Sequence, residues 1–109
     1  MEIDAGSKQM ARTLSDHKLV IKKFGLSRGK KIEQRISEFR AATSLDEISC
    51  NPPTRLHLLK GDRKGQFSVD VSANYRLLFY AIDKNGNVTV DKDCAVAIKI
   101  KEVIDDHGQ

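Results

Sequence analysis

The spacing of apolar residues divides the chain into a helical first half and a second half of strands. Up to residue 48, apolar positions recur every three or four residues, as in Ile32, Ile36 and Phe39, which is typical of amphipathic helices. After an Asn-Pro-Pro break at residues 51–53, the period becomes two, which is typical of strands with one wet face. Helices followed by strands predict an α+β fold, with the helices packed on one face of a sheet.

Three helices and one further turn are predicted from capping residues. The first helix spans Ser7 to Leu14, Ser15 caps the second, and Gly25 ends it. Ser27 caps the third and longest helix. A Ser-x-x-Glu capping box at residues 44–47 predicts one more helical turn before the prolines.

Four strands are predicted by alternation of apolar and polar residues. They are centred on residues 56–58, 67–71, 76–81 and 96–101. Residues 61–65 and 72–75 have the length and composition of hairpin connections. Residues 1–3 can add an edge strand, and the polar loop 83–93 can hold a minor hairpin. We therefore expect a sheet of four to five antiparallel strands.

Length and composition are those of one compact domain over residues 1–109, with 39% apolar residues. No stretch approaches the roughly 20 apolar residues that a membrane helix needs, and the N-terminus lacks a secretory signal pattern. We therefore expect a cytoplasmic protein without a membrane partner. Cys50 and Cys94 are expected to be reduced thiols, and no metal site is expected because His17, His57 and His107 lack metal-ligand spacing.

The basic residues are concentrated in the predicted helices. Residues 8–35 contain nine lysines and arginines against two acidic residues, a local formal charge of +7, whereas the whole chain carries +4. A field of this sign attracts RNA, DNA or an acidic protein segment. A solvated helix surface explains the same charge run equally well.

A second group of basic residues lies on the predicted strands and turns. Lys60 closes one strand, Arg63 and Lys64 occupy the following turn, Arg76 opens a later strand, and His57 lies on a wet side. Cleavage of RNA by its own 2′-hydroxyl, without a metal, requires proton transfer and cations that stabilise the phosphorane. On a meander of strands, Lys60 and Arg76 can come close on adjacent strands, so this group is a candidate site.

Each of these residues also has an ordinary structural explanation. Arg63 can pair with Asp62 or Asp70, and His57 can be a half-buried strand residue. Tyr75 can stack on an RNA base or fill a place in the core or a turn. The residue types alone therefore leave the choice open.

Residues 55–79, RLHLLKGDRKGQFSVDVSANYRLLF, closely resemble the HigB-like branch of the RelE/ParE superfamily, the toxins of bacterial type II toxin–antitoxin systems. The shared pattern is a basic residue, Leu-His-x-Leu-Lys-Gly-(Asp/Asn)-Arg-x-Gly, an aromatic-Ser-Val strand, and Asn-aromatic-Arg-Leu-x-Phe. Residues 35–49, RISEFRAATSLDEIS, also resemble that branch. So does the ending at residues 104–107, where Asp106 stands at the place of the usual tyrosine.

The resemblance implies a small α+β fold with a curved antiparallel sheet, and ribosome-dependent cleavage of mRNA without a cofactor. It implies that Lys60 and Arg76 stabilise the scissile phosphate, and that His57 and His107 transfer protons or position RNA. The RNA-binding candidates are Arg63, Lys64, Arg55 and Tyr75. The implied partners are the ribosome with its mRNA and a cognate antitoxin, expected to be of the helix-turn-helix type. Contact with DNA is expected only through the antitoxin complex.

The ParE side of the superfamily supports an alternative, because it acts on DNA gyrase with much the same fold and does not cleave RNA. The alternative is a non-catalytic binding module that inhibits gyrase or only binds an antitoxin and its operator. A basic α+β domain with an unrelated partner is a third interpretation. Fold alone does not decide among them.

Overall fold

The first half of the chain forms three helices, as the apolar spacing predicts. The structure is a computed structural model and describes residues 1–105. The helices α1, α2 and α3 cover Lys8–Leu14, His17–Phe24 and Leu26–Ala41. A short 3₁₀ turn, Leu45–Glu47, follows α3. No helix within residues 1–105 combines the length and the apolar character needed to cross a lipid bilayer.

The caps of the first two helices follow the sequence only in part. Ser7 caps α1 as predicted, because its hydroxyl oxygen accepts the Met10 N–H at 3.1 Å. The prediction that Ser15 caps α2 is wrong, because Asp16 holds that position and its carboxylate accepts the Lys18 N–H at 2.9 Å.

Gly25 ends α2 as predicted and also precedes α3 as its N-cap, with φ at 85°. This left-handed region favours glycine, since a side chain there is strained. The prediction that Ser27 caps α3 is therefore wrong. The capping box predicted at residues 44–47 also fails, because the Glu47 carboxylate accepts the Thr43 N–H rather than the N-cap N–H.

A six-stranded sheet contains the four predicted strands, the edge strand expected near the N-terminus and a short strand in the loop 83–93. The strands are β1 Glu2–Ala5, β2 His57–Leu58, β3 Phe67–Asp70, β4 Tyr75–Ile82, β5 Val88–Thr89 and β6 Ala97–Asp105. Their order is β1-β6-β4-β3-β2, and β5 pairs with β4. The predicted connections at residues 61–65 and 72–75 join β2 to β3 and β3 to β4. The minor hairpin expected in the loop 83–93 is confirmed by β5.

The N-terminal strand contradicts the prediction of a wholly antiparallel sheet. β1 pairs in parallel with β6, so that Ile3 lies opposite Ile98. The other strand pairs within residues 1–105 are antiparallel. The register between β4 and β6 shifts at Leu78 and Phe79, an irregularity of the kind that bends a strand.

One face of the sheet packs against the helices and forms the core. Phe79 lies there with its ring centroid 4.9 Å from that of Phe39 on α3 and 5.8 Å from that of Phe67. Gly29 allows α3 to approach α2, because a Cβ at this position would lie 2.7 Å from Ile21 Cδ1. The buried strand residues of this face are Phe67, Val69, Leu77, Phe79, Ala81, Ile98 and Ile100. The opposite face of the sheet is left for polar side chains.

Candidate functional site

The sheet face that turns away from the helices carries charged residues from β3, β4 and β6. Because side chains alternate along a strand, these residues point away from the core. We call this surface the open face, and its residues are His57, Ser68, Asp70, Arg76, Leu78, Tyr80 and Glu102. Ser68 and Leu78 are fully buried, so they form its floor beneath the longer side chains around them.

His57 stands on β2 at the edge of the open face. The register places it opposite Ser68 of β3, which in turn lies opposite Leu78 of β4. Its Nδ1 lies 3.4 Å from the Ser68 hydroxyl oxygen, a long hydrogen bond that orients the exposed ring. The prediction that His57 lies on the wet side of its strand is confirmed.

Asp70, at the end of β3, contacts three arginines. Its carboxylate lies 3.4 Å from Arg55 Nη1 and 3.8 Å from Arg76 Nε, and its backbone oxygen accepts the Arg35 Nε–H at 2.7 Å. The Asp70 side chain is only 18% exposed, so water and salt screen these pairs less than an ordinary surface pair. Asp70 therefore fixes the place of the guanidinium groups and neutralises part of their charge.

The turn between β2 and β3 leans over the open face. Arg63 Nη1 in this turn lies 2.7 Å from Glu102 Oε1 on β6. Strands β3 and β4 separate β2 from β6, and neighbouring strands are about 4.8 Å apart, so the pair bridges about 14 Å of sheet. Glu102, rather than Asp62 or Asp70, is therefore the partner of Arg63.

Lys60 and Arg76 do not lie on adjacent strands, because β3 separates β2 from β4. Lys60 follows Leu59, whose N–H donates to the Gln66 oxygen just before β3, whereas Arg76 lies opposite Asp70 at the other end of β3. Four residues of strand separate these two levels, about 13 Å. The closeness expected from the meander is not found, and the assignment of both residues to one site stays a prediction.

The remaining predicted site residues are distributed unevenly. Lys64 is exposed in the turn after β2. Tyr75 lies on the helix side of the sheet, and its ring centroid is 3.8 Å from the guanidinium carbon of Arg28 on α3, so the structure does not bring it to the open face. His107 and Asp106 lie outside the described residues.

Most residues of the open face, among them Tyr80 and Glu102, are absent from the sequence-based site. Tyr80 shares the alternation of β4 with Arg76, so the sequence does carry a signal for it. The ammonium of Lys101 lies 6.0 Å from the centroid of its ring. Glu102 has no comparable signal, because its place beside Arg63 depends on the register between β4 and β6.

The cysteines are exposed and lie outside the open face. Cys94 Sγ donates to Asp91 Oδ2 at 3.5 Å, and this hydrogen bond with the negative charge of Asp91 raises the pKa of the Cys94 thiol. A hydrogen bond with Asp93 lowers the pKa of Asp91 and raises that of Asp93. Within residues 1–105, these three residues are the one group that places metal-ligand atoms close together, and it contains no histidine.

The raised pKa of Cys94 predicts slow alkylation of this thiol. In a Cys50→Ser background at pH 8, Asp91→Asn is expected to speed the reaction of Cys94 with iodoacetamide severalfold. The sign follows because a lower pKa leaves more reactive thiolate at that pH. Mass spectrometry of timed samples measures the rate, and Asp4→Asn serves as the control. Equal rates in the two variants would contradict the assigned cause.

The comparison with known sequences gives one partial match. No protein-family model matches the chain. Over 53 residues, 49% of the chain, the sequence is 38% identical to "Endoribonuclease HigB" of Proteus vulgaris. The match covers 56% of that relative, so the chain spans little more than half the length of the curated relative.

Solved structures match over nearly the whole chain. A YoeB/ParE toxin from Agrobacterium tumefaciens is 12% identical and has a TM-score of 0.60, with 96% of this chain and 98% of that chain covered. The YoeB-YefM complex from Staphylococcus aureus is 19% identical and has a TM-score of 0.53, with 94% and 93% covered. At such identities the likeness concerns the fold, and it confirms the predicted α+β class.

Proposed function

We propose that the chain is a HigB-like member of the RelE/ParE superfamily and the toxin of a type II toxin–antitoxin system, a proposal supported by its partial similarity to a HigB endoribonuclease and by its fold. In this proposal the protein cuts mRNA on the ribosome, arrests translation, and is neutralised by a cognate antitoxin. The observation that carries the proposal is the open face itself, a sheet surface that presents His57 and Arg76 and that the Arg63 side chain crosses to reach Glu102.

The proposed reaction needs only side chains. The ribose 2′-oxygen attacks the adjacent phosphorus as its proton is removed, and the bond from phosphorus to the 5′-oxygen breaks as that oxygen receives a proton. The products are a 2′,3′-cyclic phosphate and a 5′-hydroxyl. Charge builds up on the phosphorane oxygens, where fixed cations lower the barrier.

Arg76 is the proposed stabiliser of that charge. Asp70 holds its guanidinium near the floor of Ser68 and Leu78, so little reorganisation is needed when the phosphorane forms. His57 is the proposed proton-transfer group. His57 and Arg76 are about 7 Å apart along the strands and about 10 Å apart across them, with β3 between, so their side chains would have to reach one phosphodiester from either side of Ser68.

Lys60 is proposed to approach the same RNA strand from the other end of β3, where the turn carrying Arg63 and Lys64 begins. These three cations would hold the backbone, since Lys and Arg neutralise phosphates and release counterions. His107 is retained in the proposal as a second proton-transfer group, on the resemblance alone.

Exposed basic residues of the helices provide long-range attraction for a negatively charged partner. They form a surface that favours a polyanion, which fits the ribosome, and also fits an acidic segment of an antitoxin. These residues are Lys18, Lys22, Lys23, Arg28, Lys30 and Lys31.

A non-catalytic binding module is the second candidate. The observation that favours it is the neutralisation of the open face, since Glu102 pairs with Arg63, and Asp70 pairs with Arg55 and Arg76. Carboxylates at these places repel a phosphodiester and weaken its capture. In this candidate the protein binds gyrase or an antitoxin and leaves RNA intact.

Purified components test the proposed function directly. The protein is incubated with a defined mRNA alone and with ribosomes programmed by that mRNA, and primer extension maps the new 5′ ends. We expect cuts only when ribosomes are present. Uncut message in both reactions, with protein that is folded by circular dichroism, would rule out the nuclease.

Lys60→Ala is expected to raise the KM for ribosome-bound message about 10-fold, because one phosphate contact is lost. Lys84→Ala is the matched control, since Lys84 is exposed in the loop after β4 and is distant in sequence from the proposed site. Initial rates at several ribosome concentrations separate KM from kcat. If both lysine variants match the wild type, Lys60 does not contact the RNA.

A further inference from the structure

A pocket beside the open face lies at the end of the hairpin formed by β3 and β4. Its volume is about 270 Å³. Its polar lining comes from Lys31 and Arg35 of α3 and from Arg55 and Asp70. Its apolar walls come from the two prolines at residues 52–53 and from the hairpin turn 71–73. The pocket is thus small, cationic and backed by apolar surface.

Arg35 is a fixed donor at this pocket. Its side chain is 2% exposed, its Nε–H donates to the Asp70 oxygen at 2.7 Å, and its Nη1 lies 3.1 Å from Glu38 Oε2. Its Nη2 makes no hydrogen bond to any residue from 1 to 105 and is not fully buried, so this donor is accessible to a ligand. A planar guanidinium held in this way is prepared to bind an oxyanion.

Arg55 is held in a strained backbone conformation at the mouth of the pocket. Its φ is 49°, and it is the one non-glycine residue with positive φ among residues 1–105. A non-glycine residue in this region costs about 1 to 3 kcal/mol, a cost that glycine would avoid. Its side chain is 52% exposed, so the guanidinium that now touches Asp70 can also contact a ligand. Glycine would adopt this backbone conformation at a lower energetic cost, but the chain has an arginine here, whose side chain lies at the mouth of the pocket.

Lys31 adds a third cation on the same face of α3, because it precedes Arg35 by one helical turn. Its side chain is exposed and makes no ion pair within residues 1–105. Three cations against the carboxylate of Asp70 give the lining a formal charge of +2, which Glu38, paired with Arg35 beside the pocket, reduces to +1. The pocket therefore suits an anion.

We propose that this pocket is a second phosphate subsite, which binds the backbone of the RNA strand next to the linkage that the open face would cut. The inference rests on the proposed function, and it adds a site for the neighbouring nucleotide. Asp70 lines the pocket and also contacts Arg76, so the pocket lies next to Arg76 and a strand bound there would have the pocket within reach. The prolines offer apolar surface to a ribose or a base, while the cations take the phosphate.

The test compares two neighbouring lysines. Lys31→Glu reverses a charge inside the pocket, and Lys30→Glu makes the same change at an exposed position of α3 that does not line it. The probe is a fluorescent 2′-O-methyl RNA hexamer, which lacks the attacking hydroxyl and is not cut. We expect Lys31→Glu to weaken binding about 10-fold more than Lys30→Glu, and to lower the slope of log K against log salt by about 1.

Direct contact is read from nitrogen-15 NMR of the arginine side chains. The Arg35 Nε–H, which is protected by its bond to the Asp70 oxygen, is expected to shift when the hexamer is added, and hexaglutamate at equal concentration is expected to leave it unchanged. Equal hexamer binding by the two lysine variants would overturn the subsite. A shift with hexaglutamate alone would also overturn it, and would assign the pocket to an acidic protein segment.

Cleavage on programmed ribosomes separates the subsite from the proposed function. If the wild type cuts the message and Lys31→Glu and Lys30→Glu have equal KM for it, the subsite is overturned and the proposed nuclease activity stands. If the wild type does not cut the message but Lys31→Glu still binds the hexamer more weakly than Lys30→Glu, the nuclease activity is overturned and the pocket remains a site for an RNA phosphate. If Lys31→Glu binds vacant ribosomes more weakly but binds the hexamer as the wild type does, the pocket contacts a phosphate of ribosomal RNA. That result overturns the proposed subsite for the mRNA strand.

Discussion

Replacing Arg76 with alanine is expected to lower kcat/KM for cleavage of ribosome-bound mRNA about 100- to 1,000-fold. The reason is that a fixed donor aimed at the charge of a transition state contributes a factor of this order. Arg76 holds such a place, since Asp70 keeps its guanidinium at the open face. The loss should fall mainly on kcat, because the charge grows as the phosphorane forms.

The fold is expected to survive this change. Arg76 is 29% exposed, and ion pairs at such partly exposed positions stabilise a fold little, so the free energy of unfolding should change by at most about 1 kcal/mol. Arg12→Ala on the exposed surface of α1 is the matched control for the lost charge. Primer extension on programmed ribosomes gives the rates. Cleavage by Arg76→Ala at the rate of Arg12→Ala would remove Arg76 from the mechanism.

Replacing Phe79 with alanine is expected to lower the free energy of unfolding by about 3 to 5 kcal/mol. Phe79 is fully buried between Phe39 of α3 and Phe67 of β3, so its loss leaves a cavity where helix and sheet meet. The change is large against the stability of about 5 to 15 kcal/mol that is ordinary for a domain. The neighbouring Leu78 and Tyr80 would lose their rigid support, so activity should fall with stability.

Urea unfolding followed by circular dichroism measures this loss. Phe79→Leu fills most of the cavity and is the conservative control, with a smaller expected destabilisation. An unchanged m-value is required for the comparison of midpoints to report stability. Equal midpoints for the wild type and Phe79→Ala would mean that this aromatic cluster does not hold the sheet to α3.

The sequence predicts the class of fold because the change of period from helix to strand is a local property. The alternation of Phe67, Val69, Leu77 and Phe79 with polar residues specifies which face is buried, and the same pattern places Arg76 on the other face. Proline and glycine mark the breaks for equally local reasons. These parts of the prediction hold without any knowledge of tertiary contacts.

Strand direction and register are not local in this way. β1 has four residues, and it lies parallel to β6 because its apolar side chains find a place against the core there. The serine caps fail at Ser15 and Ser27 because a neighbouring residue in each case, Asp16 or Gly25, holds the cap position. Capping preferences do not locate the first residue of a helix to within one position.

The candidate site shows the same limit. Spacing alone suggests that Lys60 and Arg76 approach each other, but the insertion of β3 and its register separate their levels. The acidic partners of the arginines come from distant elements, as with Glu102 beside Arg63. Charge balance at a surface of this kind is a property of the folded sheet, so a basic motif in the sequence overstates its positive charge.

Whether the open face cuts messenger RNA is decided by mapping mRNA 5′ ends in bacteria after brief induction of the protein. We expect new ends within codons of translated messages for the wild type and none for Arg76→Ala, while plasmid supercoiling measured in parallel stays unchanged. Intact messages together with growth arrest and altered supercoiling would contradict this expectation, and would support the non-catalytic module.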